Sequence, residues 1–200
     1  MVNKINIGVI GIQGAISEHI SSMQKALNDA ETPGNVFIIK HTQDLNNADA
    51  LILPGGESTT ISKVLNKSGL YDEIIKRVEQ NDLSIMGTCA GCVLLAKELS
   101  EKTEDVKLLK VMNIKVKRNA FGRQKESFEN EIIINGFEKP YTAVFIRGPI
   151  IEKVWGNCKP LAKVDNKIVM ARQERFLALS FHPELTEDLR IHKYFLNMII

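Results

Sequence analysis

The sequence predicts an α/β fold with a central, mostly parallel sheet flanked by helices, and two observations carry this prediction. In the first half, short apolar runs typical of buried parallel strands alternate with segments of helical periodicity. In the second half, strand-like runs follow one another without long helices between them, which indicates additional antiparallel strands. The chain has 200 residues, 44% of them hydrophobic, which is enough for one well-buried domain over residues 1–200.

The elements of the first half follow from apolar runs and helical spacing. Strands are predicted at residues 5–10, 36–39, 50–53 and 84–88. Ile16, Ile20, Met23 and Leu27 recur at helical spacing, which predicts a helix that follows the turn at 11–14 and continues to about residue 28. Further helices are predicted at about 60–66, at about 70–80, and from Cys89 to near Leu99.

The second half contains short strand-like runs bounded by turn residues. They lie at residues 107–117, 131–134, 142–145, 161–164, 168–171 and 176–181. A final helix is predicted at about 187–198, because apolar residues recur there at helical spacing.

Composition narrows the classes of partner. Lys plus Arg number 26 and Asp plus Glu number 24, a net charge of +2, so we expect neither nucleic acid nor an anionic membrane as a partner. The N-terminal apolar run is a predicted strand rather than a signal peptide, and no run is long enough to span a bilayer, so a cytoplasmic location is expected. The 3 cysteines form no even disulfide framework, which agrees with a reducing compartment.

Cys89 lies where a predicted strand meets a predicted helix, between Gly87 and Gly91. This G-x-(nucleophile)-x-G spacing is that of a nucleophile elbow, a tight turn that leaves room only for small residues. The N-terminus of the following helix would favour the thiolate over the thiol. We predict that Cys89 is a nucleophile; an inert buried cysteine beside glycines is the structural alternative.

A base and its orienting group follow the predicted strand at 176–181. His182 and Glu184 stand in the sequence His-Pro-Glu directly after that strand. A cysteine nucleophile needs an imidazole to take and return its proton, and a carboxylate fixes the tautomer and direction of that imidazole. We predict these two roles for His182 and Glu184.

Polar loops supply candidates for substrate binding. Gly55, Gly56 and Glu57 follow a predicted strand, and glycines there expose backbone N–H groups that a ligand can approach closely. Glu57 could pair with a substrate ammonium or simply stabilise a helix N-terminus. Arg118 and Arg147 lie in or beside loops, where arginines are commonly solvated, yet a substrate carboxylate would need such a donor.

The same cysteines and glycines also suggest other chemistry. Cys89 and Cys92 form a C-x-x-C that could be a redox pair, although glycines bracket only Cys89. A zinc site from Cys89, Cys92 and His182 is conceivable, but the order of motifs is the reverse of that in zinc deaminases. The glycines at 8, 11 and 14 lack dinucleotide-loop spacing. His19, His41 and His192 have no motif around them, so structural or surface roles are expected.

These motifs together resemble a known family over nearly the whole chain. The family comprises the glutaminase subunits of pyridoxal 5′-phosphate synthase, which are class I (triad) glutamine amidotransferases. The elbow and His-Pro-Glu are general to triad amidotransferases, and the other stretches narrow the resemblance to this family. The similar stretches are Gly11–Ala15, Leu53–Thr60, Gly87–Gly91, Arg118–Gln124, Phe145–Arg147 and Ser180–Leu185.

The resemblance implies a flavodoxin-like fold, a Cys89-His182-Glu184 triad, hydrolysis of L-glutamine to glutamate and ammonia, and transfer of ammonia to a separate synthase subunit. It further implies that Gly55, Gly56, Glu57, Arg118, Ile146 and Arg147 bind glutamine. The N–H groups of Gly56 and Ala90 would form the oxyanion hole, and Gln13 would lie beside it at the surface facing the synthase. Neither a cofactor nor a metal is expected. A triad glutaminase serving another ammonia acceptor and a non-enzymatic binding or redox protein remain alternatives.

Overall fold

The structure is a computed structural model that describes residues 4–101, 103, 105–118, 120 and 127–200. Its helices are α1 (Ile16–Asp29), α2 (Thr42–Leu45), α3 (Ser58–Lys67), α4 (Leu70–Glu79), α5 (Ala90–Leu95) and α6 (Arg190–Ile199), with a short 3-10 helix at Pro183–Leu185. Its strands are β1 (Ile5–Ile10), β2 (Gly34–Ile39), β3 (Ala50–Leu53), β4 (Ser84–Thr88), β5 (Ala96–Leu99), β6 (Met112–Lys117), β7 (Ser127–Ile132), β8 (Tyr141–Ile146), β9 (Ile150–Val154), β10 (Lys159–Val164), β11 (Lys167–Gln173) and β12 (Phe176–Leu179).

Among the described residues, most strands form one sheet in the order β2-β1-β3-β4-β12-β11-β9-β6-β5, with β10 beside β11. From β2 to β12 all neighbours are parallel. From β12 through β11 and β9 to β6 they are antiparallel, and β5 is parallel to β6. Strands β7 and β8 form a separate antiparallel sheet. The predicted fold class, parallel in the first half with antiparallel strands added in the second, is confirmed.

The sheet is buried on both faces, because its strands send alternate side chains into two hydrophobic clusters. On β1 and β3, for example, Val9 and Ile52 belong to one cluster, and Ile10 and Leu51 belong to the other. Helices α1 and α6 cover the first cluster, while α3, α4 and α5 cover the second. Strands β3, β4 and β12 are buried along their whole length, which places their carboxyl ends in a rigid environment.

Three predicted segments in the middle of the chain have other boundaries in the structure. The strand predicted at 131–134 lies at Ser127–Ile132 as β7, and Ile134 forms only an isolated bridge with Ala162. The helix that begins at Ala90 ends at Leu95 rather than near Leu99, because residues 96–99 pair with β6 as strand β5. Tertiary pairing here overrides helix propensity. The strand predicted at 107–117 begins only at Met112, since Lys110 has a φ of 59° that is incompatible with a continuous strand. Helix α2 and strand β9 were not predicted.

Within the part of the chain that is described, no helix combines the length and the apolar character needed to cross a membrane.

Candidate active site

The two predicted catalytic segments meet because β4 and β12 are parallel neighbours. Their last residues, Thr88 and Leu179, are partners in the register, so the carboxyl ends of both strands reach the same edge of the sheet. The backbone N–H of Cys89 donates to the carbonyl of Leu179 at 2.8 Å, and that of His182 donates to Val144 on β8 at 2.8 Å. These contacts thereby hold the predicted nucleophile and the predicted base in one place.

Cys89 has the strained backbone of a nucleophile elbow, with φ 49° and ψ −105°. The turn requires both neighbouring glycines. A Cβ on Gly87 would lie 2.6 Å from the carbonyl carbon and oxygen of Gly91, and a Cβ on Gly91 would lie 2.1 Å from the carbonyl oxygen of Leu53. Because these obstacles are backbone atoms, neither position tolerates a side chain, and Cys89 is fixed at the N-terminus of α5.

His182 and Glu184 form a close buried pair. Nδ1 of His182 lies 2.7 Å from Oε1 of Glu184, and both side chains are almost fully enclosed. Burial by itself would lower the pKa of His182, but hydrogen bonding and charge from Cys89 and Glu184 raise it to about 10. Burial opposes ionisation of Glu184, yet its contacts with His182 hold the pKa of this carboxyl below the ordinary value. The imidazole therefore has one nitrogen on the carboxylate and a strong affinity for a proton.

These groups open onto a cavity of about 450 Å³. It contains most of the residues predicted for the site, namely Gln13, Gly56, Glu57, Cys89, Ala90, Arg118, Ile146, Arg147 and His182, together with Ser58, Val93 and Pro149, which were not predicted. Glu184 lies behind His182. Gly55 lies beside the ring, since a Cβ there would be 2.6 Å from Cε1 of His182. All predicted site residues are thus brought together.

Glu57 stabilises a helix N-terminus, which was the alternative to binding a substrate ammonium, and it also lines the cavity. As the N-cap of α3, its carboxylate accepts hydrogen bonds from the N–H groups of Thr59 at 3.1 Å and Thr60 at 2.7 Å. Partial burial opposes this charge, but the bonds lower the pKa of Glu57. The side chain is therefore a fixed negative charge that lines the cavity, and its contact with a substrate stays a prediction.

Gln13 connects the first strand-to-helix turn with the Gly56 loop. Its Oε1 accepts a hydrogen bond from the N–H of Glu57 at 2.8 Å. A Cβ on Gly56, whose φ is 134°, would lie 2.8 Å from the same oxygen. The amide side chain of Gln13 therefore packs on the loop that carries one of the two predicted oxyanion-hole donors.

Positive charge and a backbone carbonyl also line the cavity. Arg118 donates from Nη1 to Oγ of Ser58 at 3.4 Å, and its backbone N–H donates to Glu101 at 3.2 Å. Sγ of Cys89 lies 3.8 Å from the carbonyl oxygen of Ile146, and Arg147 follows with a φ of 46°. Of the predicted loop 118–124, the structure describes Arg118 and Ala120, and the remaining positions lie outside the described residues.

His19 was predicted to have a structural or surface role, and the structure places it against the His182–Glu184 pair. It is fully buried, with Nε2 3.4 Å from Oε2 of Glu184 and 3.2 Å from Oγ1 of Thr88. The sequence contained one signal for this position. His19 lies on the predicted apolar face of α1, three residues after Ile16 and four before Met23, where a polar side chain is unexpected.

The geometry does not support the other chemistry considered for the cysteines. Cys92 is a free thiol in the hydrophobic core, and burial strongly raises its pKa. A redox partner of Cys89 would need a more accessible and more acidic thiol. Within the described ranges, no three His, Cys, Asp or Glu side chains are grouped so that they could hold a metal ion.

Comparison with known proteins gives concordant results. The model of the SNO glutamine amidotransferase family matches residues 9–200. A Pyrococcus horikoshii protein named pyridoxal 5′-phosphate synthase subunit PdxT is 46% identical over 197 residues, which are 98% of this chain and 100% of that protein. A Methanocella arvoryzae protein of the same name is 47% identical over 98% of both chains. A crystal structure described as a glutamine amidotransferase superimposes with a TM-score of 0.85 at 41% identity, covering 96% of this chain and 98% of the other.

Proposed function

The chain belongs to the SNO glutamine amidotransferase family, and from this premise we propose that it is the glutaminase subunit of a pyridoxal 5′-phosphate synthase. It hydrolyses L-glutamine to L-glutamate and ammonia, and its partner is the synthase subunit that uses the ammonia. Support comes from relatives that carry the subunit name at 46% and 47% identity over nearly their full length. One glutaminase domain spans residues 1–200, and a cytoplasmic location stays a prediction.

The observation that carries the mechanism is the pair of groups facing Cys89. Oε1 of Glu184 lies 2.7 Å from Nδ1 of His182, so Nε2 is the imidazole nitrogen available to the thiol. In the proposed triad, His182 takes the thiol proton and Sγ of Cys89 attacks the side-chain amide carbon of glutamine. The raised pKa of His182, about 10, favours the imidazolium that this step forms.

The tetrahedral intermediate places a negative charge on the former amide oxygen. Ala90 is the first residue of α5, so its N–H has no acceptor within the helix and is available to that oxygen. Gly56 supplies the second donor in the proposed oxyanion hole. Each such donor contributes about 3 kcal/mol to transition-state stabilisation in comparable hydrolases.

Collapse of the intermediate breaks the carbon–nitrogen bond. His182 gives its proton to the departing nitrogen, which leaves as ammonia, and the glutamyl group remains on Cys89 as a thioester. Water then attacks the thioester carbon while His182 takes a proton from it. The carbon–sulfur bond breaks, and glutamate and the starting thiol are regenerated. No metal or cofactor takes part in these steps.

The charges around the cavity fit the free amino-acid end of glutamine. We assign the substrate carboxylate to the guanidinium groups of Arg118 and Arg147, and the ammonium to Glu57 and the carbonyl of Ile146. Gly55 and Gly56 supply backbone that the substrate can approach closely. These opposite charges in the cavity then orient the side-chain amide toward Cys89.

Activation by the partner is proposed to act through Gln13. Its side chain packs on the Gly56 loop, so a synthase subunit that contacts Gln13 can change the position of the oxyanion-hole donor. This arrangement would restrict hydrolysis to the complex and pass ammonia directly to the synthase. We propose both the activation of hydrolysis by the synthase subunit and the direct transfer of ammonia to it.

The test measures glutamate release from L-glutamine by the purified chain, alone and with a pyridoxal 5′-phosphate synthase subunit. Strong stimulation by that subunit is expected. Cys89→Ala should abolish release, whereas Cys92→Ala, which changes a buried thiol one helical turn away, should retain it. Equal activity of Cys89→Ala and the unchanged protein would refute the triad.

Partner exchange tests the alternative of another ammonia acceptor. The same assay is repeated with the synthase subunits of other triad amidotransferases. Stimulation by the pyridoxal 5′-phosphate synthase subunit alone supports the assignment, and stimulation only by another synthase would replace it.

A further inference from the structure

The carboxylate of the proposed triad has one oxygen that the triad does not use. Oε1 of Glu184 lies 2.7 Å from His182, while Oε2 is buried and forms no hydrogen bond with any described residue. Nε2 of His19 lies 3.4 Å from Oε2, and both side chains are completely inaccessible. An ionised carboxylate with an unsatisfied oxygen is costly in such an enclosed place.

The protonation state of His19 determines whether its ring can donate a proton toward Oε2 of Glu184. Burial lowers the pKa of His19 although the charge of Glu184 raises it, so the ring is neutral and carries one N–H. Nδ1 has no partner among the described residues, whereas Nε2 has two oxygens close by, Oε2 of Glu184 and Oγ1 of Thr88 at 3.2 Å. A proton on Nε2 therefore has an acceptor, and a proton on Nδ1 has none.

We propose that His19 is a positioning residue for the reaction, whose Nε2–H faces Oε2 of Glu184 and holds the carboxylate in the orientation that binds His182. This inference rests on the proposed glutaminase function and extends the triad by one buried group. His19 does not line the cavity, so in this proposal it acts on the reaction through Glu184.

The position of His19 makes this role specific. It lies on α1, which packs against the 3-10 helix that carries Glu184 and against α6. His192 on α6 offers a close comparison, because it is equally buried and its ring centroid is 6.5 Å from that of His19. The other titratable groups that act on these side chains are Glu18, Tyr141, His182 and Asp188.

Variants at both histidines test the proposal. His19→Leu removes the polar group that faces Oε2 and leaves a buried carboxylate oxygen without this polar neighbour, which should lower kcat for glutamate release about tenfold or more. It should also lower the pKa of His182, measured by NMR titration of its ring, because the carboxylate holds it less firmly. His19→Gln places an amide N–H near the position of Nε2 and should restore both properties in large part. His192→Leu should leave both unchanged.

A measurement on the unaltered protein covers the case in which His19→Leu does not fold. The ¹⁵N chemical shifts of His19 report which ring nitrogen carries the proton. The Nε2–H tautomer is expected. An Nδ1–H tautomer would overturn the proposal, since Nε2 would then accept from Thr88 and could donate nothing to Glu184.

The outcomes separate this inference from the proposed function. If Cys89→Ala abolishes glutamate release while His19→Leu retains both kcat and the pKa of His182, the glutaminase stands and the role of His19 falls. If Cys89→Ala retains release, the function itself falls. The tautomer of His19 is read independently of either assay.

Discussion

Gly55→Ala tests whether the imidazole of His182, the proposed base, is fixed in one position. A Cβ at residue 55 would lie 2.6 Å from Cε1 of His182 and 3.4 Å from both Nδ1 of His182 and Cβ of Cys89. Ordinary contact begins near 3.4 Å, so the ring must move by about 0.8 Å, the difference between 3.4 and 2.6 Å. The ring cannot turn away freely, because Nδ1 is bound to Glu184 at 2.7 Å.

The expected cost of this displacement is large in rate and small in stability. A shift of about 1 Å in a catalytic group lowers activity about 100-fold, so kcat/KM for glutamate release should fall by about that factor. Gly55 is not among the glycines with positive φ, so alanine introduces no backbone strain. The variant should therefore fold, and its melting temperature should change little.

Gly136→Ala is the matched control. A Cβ there meets nothing within 4 Å, but the φ of 92° strains any side chain. Stability should fall by about 1 kcal/mol while activity stays at the level of the unchanged protein. Glutamate release with the synthase subunit and thermal unfolding measure both quantities. If Gly55→Ala has unchanged kcat/KM, the imidazole is not held as described and the reasoning fails.

Three further predictions concern charge and loop contacts. The folded-state pKa of His182 is raised from 6.5 to about 10, so protonated His182 contributes fully to the free energy of unfolding below pH 6.5, and this contribution is lost as the pH rises through 10. Urea unfolding should therefore give a lower free energy of unfolding at pH 10 than at pH 7. The difference between the two pH values should be smaller in His182→Asn. Arg118→Met should raise the KM for glutamine about tenfold or more through loss of a charge-assisted bond, with Arg172→Met, remote from the cavity, as control; equal KM values would contradict the assigned role. Gln13→Ala removes the acceptor of the Glu57 N–H and should reduce stimulation by the synthase subunit, whereas Gln24→Ala on the surface of α1 should not, as titration with that subunit would show.

The parallel half of the fold was predictable because its signals are local. Each of β1, β3 and β4 is a short apolar run followed by a turn and a helix, so composition alone indicates a strand buried on both faces. The antiparallel half gave weaker signals. Residues 96–99 form β5 only because β6 lies beside them, and a segment that depends on a distant partner has no local pattern to read.

The candidate site divides in the same way. Cys89 and His182 stand in motifs that require particular backbone geometry, so their proximity could be expected from sequence. His19 has no motif, and its contact with Glu184 depends on how α1 packs beside the 3-10 helix. Ser58 contributes to the cavity through its contact with Arg118, which no spacing in the sequence indicates. The sequence does not indicate how distant helices pack or which loops come into contact, and these two residues depend on that information.

The adjacency of β4 and β12 has a consequence for biosynthesis. These strands are separated by nearly half of the chain, and β12 fills the position between β4 and β11 at the centre of the sheet. During translation Cys89 emerges long before His182, and the edge of β4 has no neighbour on that side until β12 is made. Closure of so distant a pair is entropically slow, so hydrolytic competence comes only when the last strand inserts. A nascent or truncated chain ending before residue 176 would therefore consume no glutamine.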